Sequence, residues 1–108
     1  MGLIEQARAL AAELGRSQEL QAFQAAERQV RADQNAFQMV NKYMEMEQSL
    51  MLKQMQGEQL SQTETTGLNS YREQIIKNEK VAAFFNAKQR FDQVWYQVNQ
   101  IIGSVLGQ

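Results

Sequence analysis

Apolar residues recur every three or four positions along almost the whole chain, which is the spacing of amphipathic helices. No segment alternates apolar and polar residues for long enough to indicate a strand. Polar capping residues and glycines divide the pattern into helices near residues 3–14, 18–32, 34–56, 62–77 and 79–106. The sequence therefore predicts an all-α fold in a single domain, residues 1–108. The expected architecture is an elongated antiparallel helical bundle of about five helices, two of them long, completed by oligomerisation.

The ends of these helices must be read from capping residues, because the chain contains no Pro. Gly15 suits the left-handed position after the first helix, and Gly57 interrupts the pattern after the third. Ser61 and Glu64 have the spacing of a capping box, in which each side chain accepts a hydrogen bond from the other residue's backbone N–H. The candidate N-caps are Ser17, Asp33, Ser61 and Asn78.

The two long helices are apolar over about half of their circumference, which is wider than the usual stripe of roughly 100° on a surface helix. One stripe of the third helix comprises Phe37, Val40, Met44, Met51 and Met55, and the other comprises Met39, Tyr43, Met46 and Leu50. The apolar side of the fifth helix comprises Phe84, Phe85, Phe91, Trp95, Val98 and Ile102, extended by Val94, Ile101 and Val105.

The simplest way to bury so much apolar surface is contact with a second chain. A globule of this length has an expected radius of gyration of about 13 Å, whereas the long helices measure about 35 and 40 Å. We therefore expect a homodimer or a larger assembly, with the long helices packed antiparallel. The candidate self-association or partner surface comprises Phe37, Met39, Val40, Tyr43, Met44, Met46, Met51, Met55, Phe84, Phe91, Trp95, Val98 and Ile102.

Five of the six methionines lie in the third helix. Met fills irregular gaps well, so the first interpretation is core packing. The second is an adaptable groove that accepts a partner helix. The sequence leaves both open.

One acidic residue, Glu47, falls within the apolar half of the third helix. A buried acid there is a candidate for proton chemistry. The alternative is that the side chain reaches the edge of the stripe or pairs with a cation. The candidate cations are Arg72, Lys77, Lys80, Lys88 and Arg90.

The composition excludes most catalytic chemistry. The chain contains no Cys and no His, which removes thiolate metal sites and the commonest general base. No Gly-rich phosphate loop and no converging pair of carboxylates can be recognised. We therefore expect no enzyme activity, no catalytic residue, no cofactor and no metal.

The charge is balanced, with 11 basic and 12 acidic residues. A net charge of −1 gives no attraction to nucleic acid or to anionic lipid, so neither is an expected partner. No apolar run approaches the ~18 residues of a membrane span, and residues 1–6 do not form a secretion signal. The expected location is the cytoplasm.

Three segments carry a family resemblance: 52–64 (LKQMQGEQLSQTE), 78–81 (NEKV) and 87–91 (AKQRF). Together they resemble the YlbF/YmcA family of small bacterial helical proteins, and the Lys-Gln-Met-x-Gly-Glu turn is closest to its YheA-like branch. The resemblance extends over almost the whole chain. The motifs mark helix ends rather than chemistry.

This resemblance implies an all-helical, self-associating protein without known catalysis. The better-studied family members regulate competence, sporulation and biofilm formation, and act in a complex that helps direct messenger-RNA processing. Some carry iron–sulfur clusters through cysteines that this chain lacks. The expected function is a homo-oligomeric adaptor or regulator that binds itself and possible protein partners, including other family members. The alternative is an accessory factor in messenger-RNA processing through association with a ribonuclease complex.

Overall fold

The computed structural model describes residues 2–105 and 107. This part of the chain forms five α-helices and no strand, which confirms the predicted fold class. The helices are α1 (Leu3–Arg16), α2 (Gln18–Arg31), α3 (Gln34–Met55), α4 (Gln62–Ile75) and α5 (Glu79–Val105). Leu106, the last residue predicted for the fifth helix, lies outside the described residues.

The prediction that Gly15 ends the first helix is wrong, because α1 continues to Arg16 and Gly15 has no positive φ. Ser17 ends the helix instead. Its backbone N–H and its hydroxyl both donate to the Leu14 carbonyl, at 3.1 and 2.7 Å. The same hydroxyl accepts the Leu20 N–H at 3.2 Å, as predicted for the N-cap of α2. One Ser thus closes α1 and opens α2, so the junction needs no left-handed glycine.

Two further predicted N-caps are confirmed. Asp33 Oδ1 accepts the Ala36 N–H at 3.1 Å and caps α3. Asn78 Oδ1 accepts the N–H groups of Lys80 and Val81, at 3.0 and 3.2 Å, and caps α5. These bonds satisfy backbone donors that have no partner inside the first turn of a helix.

Gly57 ends α3 with a φ of +83°, in the left-handed region that favours glycine. The Gly57 N–H donates to the Gln54 carbonyl at 3.1 Å, and the Glu58 N–H donates to the Lys53 carbonyl at 3.0 Å. This pair of bonds is a Schellman motif. The interruption predicted at Gly57 is therefore the end of α3, closed by this hydrogen-bonded motif.

The predicted capping box at the start of α4 forms only in part. The Ser61 hydroxyl accepts the Glu64 N–H at 3.1 Å. Glu64 Oε1 accepts a hydrogen bond from Lys53 Nζ of α3 at 3.2 Å, rather than one from the Ser61 backbone. Glu64 Oε2 is buried and has no hydrogen-bond partner among the described residues. A cation on the neighbouring helix has thus drawn the carboxylate away from the box.

The described residues fall into two compact units. One contains the described residues of 2–27 and 84–107, and the other is Arg28–Ala83. The buried residues of the first unit are Ala26, Phe84 and Phe85. Those of the second unit are Val30, Ala36, Val40, Ile75 and Val81.

Aromatic rings hold the first unit together. The Phe23 ring of α2 lies 5.5 Å from the Phe84 ring and 5.9 Å from the Phe91 ring of α5, between centroids. Phe84 also contacts Phe85 edge-to-face, at 5.7 Å, and Phe91 stacks on Trp95 at 6.5 Å. These separations lie in the favourable range for aromatic pairs, so one side chain of α2 anchors two turns of α5.

In the second unit, α3 and α4 form an antiparallel hairpin. Near the turn, Lys53 of α3 pairs with Glu64 of α4. Further from the turn, Lys42 Nζ lies 4.8 Å from the ring centroid of Tyr71, a cation–π contact. This hairpin fixes which side of α3 faces α4.

Candidate self-association surface

The side of α3 toward α4 carries one of the two stripes predicted from the sequence. All four of its residues are half-buried: Met39, Tyr43, Met46 and Leu50. An open groove of about 520 Å³ runs between the helices here, with Met46, Leu50 and Leu68 among the residues that line it. These methionines pack within the chain, which agrees with the core-packing interpretation for Met39 and Met46.

The other stripe of α3 faces away from α4 and is largely exposed. Its exposed fractions rise along the helix, from 41% at Phe37 and 38% at Met44 to 56% at Met51 and 81% at Met55. Leu52, which the sequence analysis did not include, lies beside them and is 55% exposed. Removing apolar surface from water is favourable by about 25 cal/mol for each Å². Burial of this stripe against another surface would therefore be stabilising.

Two residues assigned to the candidate surface lie in the cores. Val40 is 4% exposed and Phe84 is 2% exposed, so neither side chain is available to a partner. The helical wheel gave the direction of each residue but not the neighbours that cover it. Both buried side chains lie in the N-terminal halves of α3 and α5, where other parts of the chain cover them.

Glu47 shows how burial changes along α3. It projects from the same side of the helix as Val40, two turns further on, where its side chain is exposed. Of the two interpretations of Glu47, this exposure excludes a buried acid and agrees with a side chain at the edge of the apolar stripe. Two of its candidate partners bind other acids, since Lys80 pairs with Asp33 and Lys88 pairs with Asp92.

Toward its C-terminal end, α5 also becomes exposed. Phe91 and Val98 are half-buried, whereas Trp95 and Ile102 are 47% and 50% exposed. Three further large residues of this region are exposed: Tyr96, Ile101 and Val105. Beyond Trp95, which stacks on Phe91, the large apolar residues of α5 are therefore exposed, apart from the half-buried Val98.

The structure adds α1 to the exposed apolar surface. No described residue of α1 is buried, and Leu3, Ile4 and Leu10 are all exposed. The amphipathic spacing of α1 is evident in the sequence, but spacing does not show whether the apolar face is covered. Apart from the half-buried Leu14, this face is exposed in the single chain.

The charged groups near these surfaces act in helix capping and in exposed ion pairs. The pKa of Asp33 lies below its usual value, chiefly because the carboxylate accepts the Ala36 N–H and then because it binds Lys80. No group of three or more acidic side chains that could hold a metal ion occurs among residues 2–105 and 107. Within the same residues, no helix is long and apolar enough to cross a membrane.

Comparisons with known proteins agree with this architecture. The family model described as control of competence regulator ComK, YlbF/YmcA, matches residues 3–106. UPF0342 proteins of Staphylococcus aureus strains JH9 and Newman are each 29% identical over 102 residues, covering 94% of this chain and 90% of theirs. A solved structure from Bacillus stearothermophilus, a protein of unknown function (DUF964), superposes with a TM-score of 0.86 at 26% identity, covering 97% of this chain and 92% of that one. With its five-helix fold and a family match over nearly its full length, the chain belongs to the YlbF/YmcA family.

Proposed function

We propose that this protein is a non-enzymatic, homo-oligomeric helical adaptor that acts in the cytoplasm through protein–protein contacts. Its partners are further copies of itself and other proteins, including members of its own family. The main observation in support of this proposal is the exposed apolar surface of α3, from Phe37 to Met55. Contiguous apolar patches of more than a few hundred Å² are uncommon on monomers and mark interaction sites.

The chemistry of this surface supports binding rather than catalysis. Its side chains are aromatic, aliphatic and thioether groups, which act by burial from water. The nearby carboxylates of Glu45 and Glu47 are exposed on the flanks of α3.

The biological role that we propose comes from the family. The matching model is described by control of the competence regulator ComK, and this supports a regulatory role in bacterial development, covering competence, sporulation and biofilm formation. We place the chain in the YheA-like branch on its Lys53-to-Glu58 turn. The iron–sulfur role of some relatives does not transfer, since it depends on cysteines that this chain lacks.

The mass of the native protein tests the assembly, and capture of partners from the native cell tests the adaptor role. We expect native mass spectrometry and light scattering at micromolar concentration to give a dimer or a larger homo-oligomer. A sharp monomeric mass across that range contradicts the proposal. Mass spectrometry of proteins captured by the tagged chain should identify protein partners, with a charge-matched unrelated helical protein as the control.

A second candidate is an accessory factor in messenger-RNA processing, acting through association with a ribonuclease complex. It rests on the role of relatives in such processing. The balanced charge argues against direct RNA contact, because affinity for phosphate depends on cations that displace counterions. Filter binding to RNA at two salt concentrations tests direct contact, and tight binding that weakens steeply with salt reverses our ranking. Ribonuclease subunits among captured proteins support this second candidate.

A further inference from the structure

The exposed stripe of α3 follows a heptad pattern. Its positions, which we call the outer seam, alternate in steps of four and three: Phe37, Asn41, Met44, Gln48, Met51 and Met55. All six are exposed. A mean spacing of 3.5 residues keeps a seam facing a partner helix along a two-stranded coiled coil. Hydrophobicity alone groups the apolar members of the seam and leaves out the two amides, Asn41 and Gln48, that lie between them.

We propose that the outer seam packs against the outer seam of a second copy of this chain as a parallel two-stranded coiled coil, in place of the antiparallel packing expected from the sequence. The inference rests on the proposed self-association and assigns the surface and the orientation through which it occurs.

The area of the seam suits a dimer. With about 200 Å² for a fully exposed large side chain, the exposed fractions of Phe37, Met44, Met51, Leu52 and Met55 amount to roughly 500 Å² per chain. Complete burial of these side chains in two copies removes roughly 1,000 Å² of apolar surface from water, near the lower end of about 1,200 Å² for standard interfaces. Asn41 and Gln48 are also exposed and add to this area. The seam also runs the length of α3, about 33 Å for its 22 residues.

The two amides favour a parallel pair. In parallel register each seam residue meets its own counterpart, so Asn41 meets Asn41 and Gln48 meets Gln48 of the second copy. An amide both donates and accepts, and two facing amides satisfy each other. A single Asn at such a position is a known device for fixing register in parallel coiled coils. In the antiparallel register that aligns the whole seam, Asn41 faces Met51 and Gln48 faces Met44, and both amides lose this partner.

The flanking charges favour the same orientation. Glu45 and Glu47 lie on either side of the seam and are exposed. The antiparallel register places each of them against the same residue of the second copy, across the two-fold axis. The parallel register instead places Glu47 beside Leu52 of the second copy. Like charges that face each other destabilise a helix pair, so the carboxylates oppose the antiparallel alternative.

Competing surfaces on α5 and α1 are less regular. The exposed part of α5 begins at Trp95, and Trp95 already stacks on Phe91 within the chain. The exposed large apolar residues of α1 are Leu3 and Ile4 in its first turn and Leu10 further on, and they do not form a heptad series. The outer seam combines a heptad register with exposure at every one of its positions, so we assign self-association to it first.

Introducing charge into the seam tests the surface. The double substitution Met44→Glu with Met51→Glu should raise the dissociation constant of the dimer at least a hundredfold in sedimentation or light scattering, because it buries carboxylates against one another. Both side chains are exposed, so the helical circular dichroism should remain that of the parent protein. Ile101→Glu, at an exposed apolar residue of α5, is the matched control and should leave the dimer unchanged.

The outcomes separate the inference from the proposed function. If the seam variant still self-associates and the Ile101→Glu variant does not, the seam assignment is overturned and self-association stands. If the parent protein is monomeric at every concentration, both are overturned.

Cysteine cross-linking tests the orientation, and the Cys-free chain gives a clean background. Gln48→Cys alone should form a disulfide-linked dimer on mild oxidation, because parallel counterparts lie within the ~7 Å Cα separation that a disulfide spans. Ser49→Cys, one position outside the seam, is the control and should not cross-link. Efficient linkage only in a mixture of the Met44→Cys and Gln48→Cys variants overturns the parallel orientation. Failure of all seam cysteines in a dimeric protein overturns the seam itself.

Discussion

Lys80 and Asp33 lie 47 positions apart in the chain and meet at 3.2 Å, between Nζ and Oδ2. The two residues stand at the starts of different helices. Asp33 caps α3, and Lys80 lies in the first turn of α5, where its N–H is bound by the cap residue Asn78. One carboxylate therefore opens a helix through Oδ1 and binds a distant cation through Oδ2.

This arrangement predicts a specific loss of stability in acid. The pKa of Asp33 is lowered in the folded protein by the Ala36 N–H and by Lys80. Its contribution is therefore complete above the unfolded pKa of about 3.9 and is lost as the pH falls through the lower folded value. Asp33→Asn keeps a cap acceptor and removes the charge, so the variant should lose less stability than the parent between pH 5 and pH 2 (about the range in which a lowered Asp pKa acts).

Urea unfolding at several pH values measures this difference. The control is Asp92→Asn, which removes an exposed pair with Lys88 on one helix but no cap. An Asp33→Asn variant whose pH dependence in acid equals that of the parent contradicts the prediction.

Two glycines should respond to Ala in opposite directions. Gly57 has a φ of +83°, which an L side chain adopts only with strain, so Gly57→Ala should destabilise the protein by about 1 kcal/mol. Gly67 lies inside α4, and an added Cβ meets no atom within 4 Å. Gly67→Ala should therefore stabilise the protein by about 0.5–1 kcal/mol, through higher helix propensity. Denaturant unfolding measures the change in the free energy of unfolding for each variant. If both substitutions stabilise the protein, or both destabilise it, the prediction is wrong.

Local chemistry made the helices predictable from the sequence. Ser17, Asp33, Ser61 and Asn78 act on backbone groups within three positions of themselves, so sequence spacing contains the necessary information. Gly15 was misread because Ser17 ends α1 without help, and nothing in the spacing distinguishes these two ways to end a helix.

The candidate surface was less predictable, because burial depends on residues distant in the chain. Val40 and Glu47 project from the same side of α3, yet Val40 is buried and Glu47 is exposed. The helical wheel places both residues on one side of α3. Only the folded structure shows that this side is buried at Val40 and exposed at Glu47. The same limit applies to Phe84 and Ile102 on α5, which share a stripe but differ in exposure from 2% to 50%.

The cap of α4 should act independently of the Glu64 carboxylate. Ser61→Ala removes the acceptor of the Glu64 N–H and should cost about 1 kcal/mol. Because Glu64 binds Lys53 and returns no bond to Ser61, the same substitution should cost equally in a Glu64→Gln background. A double-mutant cycle from urea unfolding measures the coupling. Coupling well above about 0.5 kcal/mol between Ser61 and Glu64 indicates a complete capping box in solution.

Two phenylalanines should separate folding from assembly. Phe23 contacts Phe84 and Phe91 within its unit, so Phe23→Ala should reduce the free energy of unfolding by about 2–4 kcal/mol at any protein concentration. Phe37 is 41% exposed on the outer seam, so Phe37→Ala should destabilise the isolated chain less than Phe23→Ala does. Association stabilises the folded state by mass action, so the melting temperature of an assembled protein rises with protein concentration. Phe37→Ala should make this rise smaller. Melting curves over a wide range of concentrations distinguish the two effects. A loss at Phe37 that does not change with concentration indicates that this side chain stabilises the single chain, and it removes Phe37 from the seam.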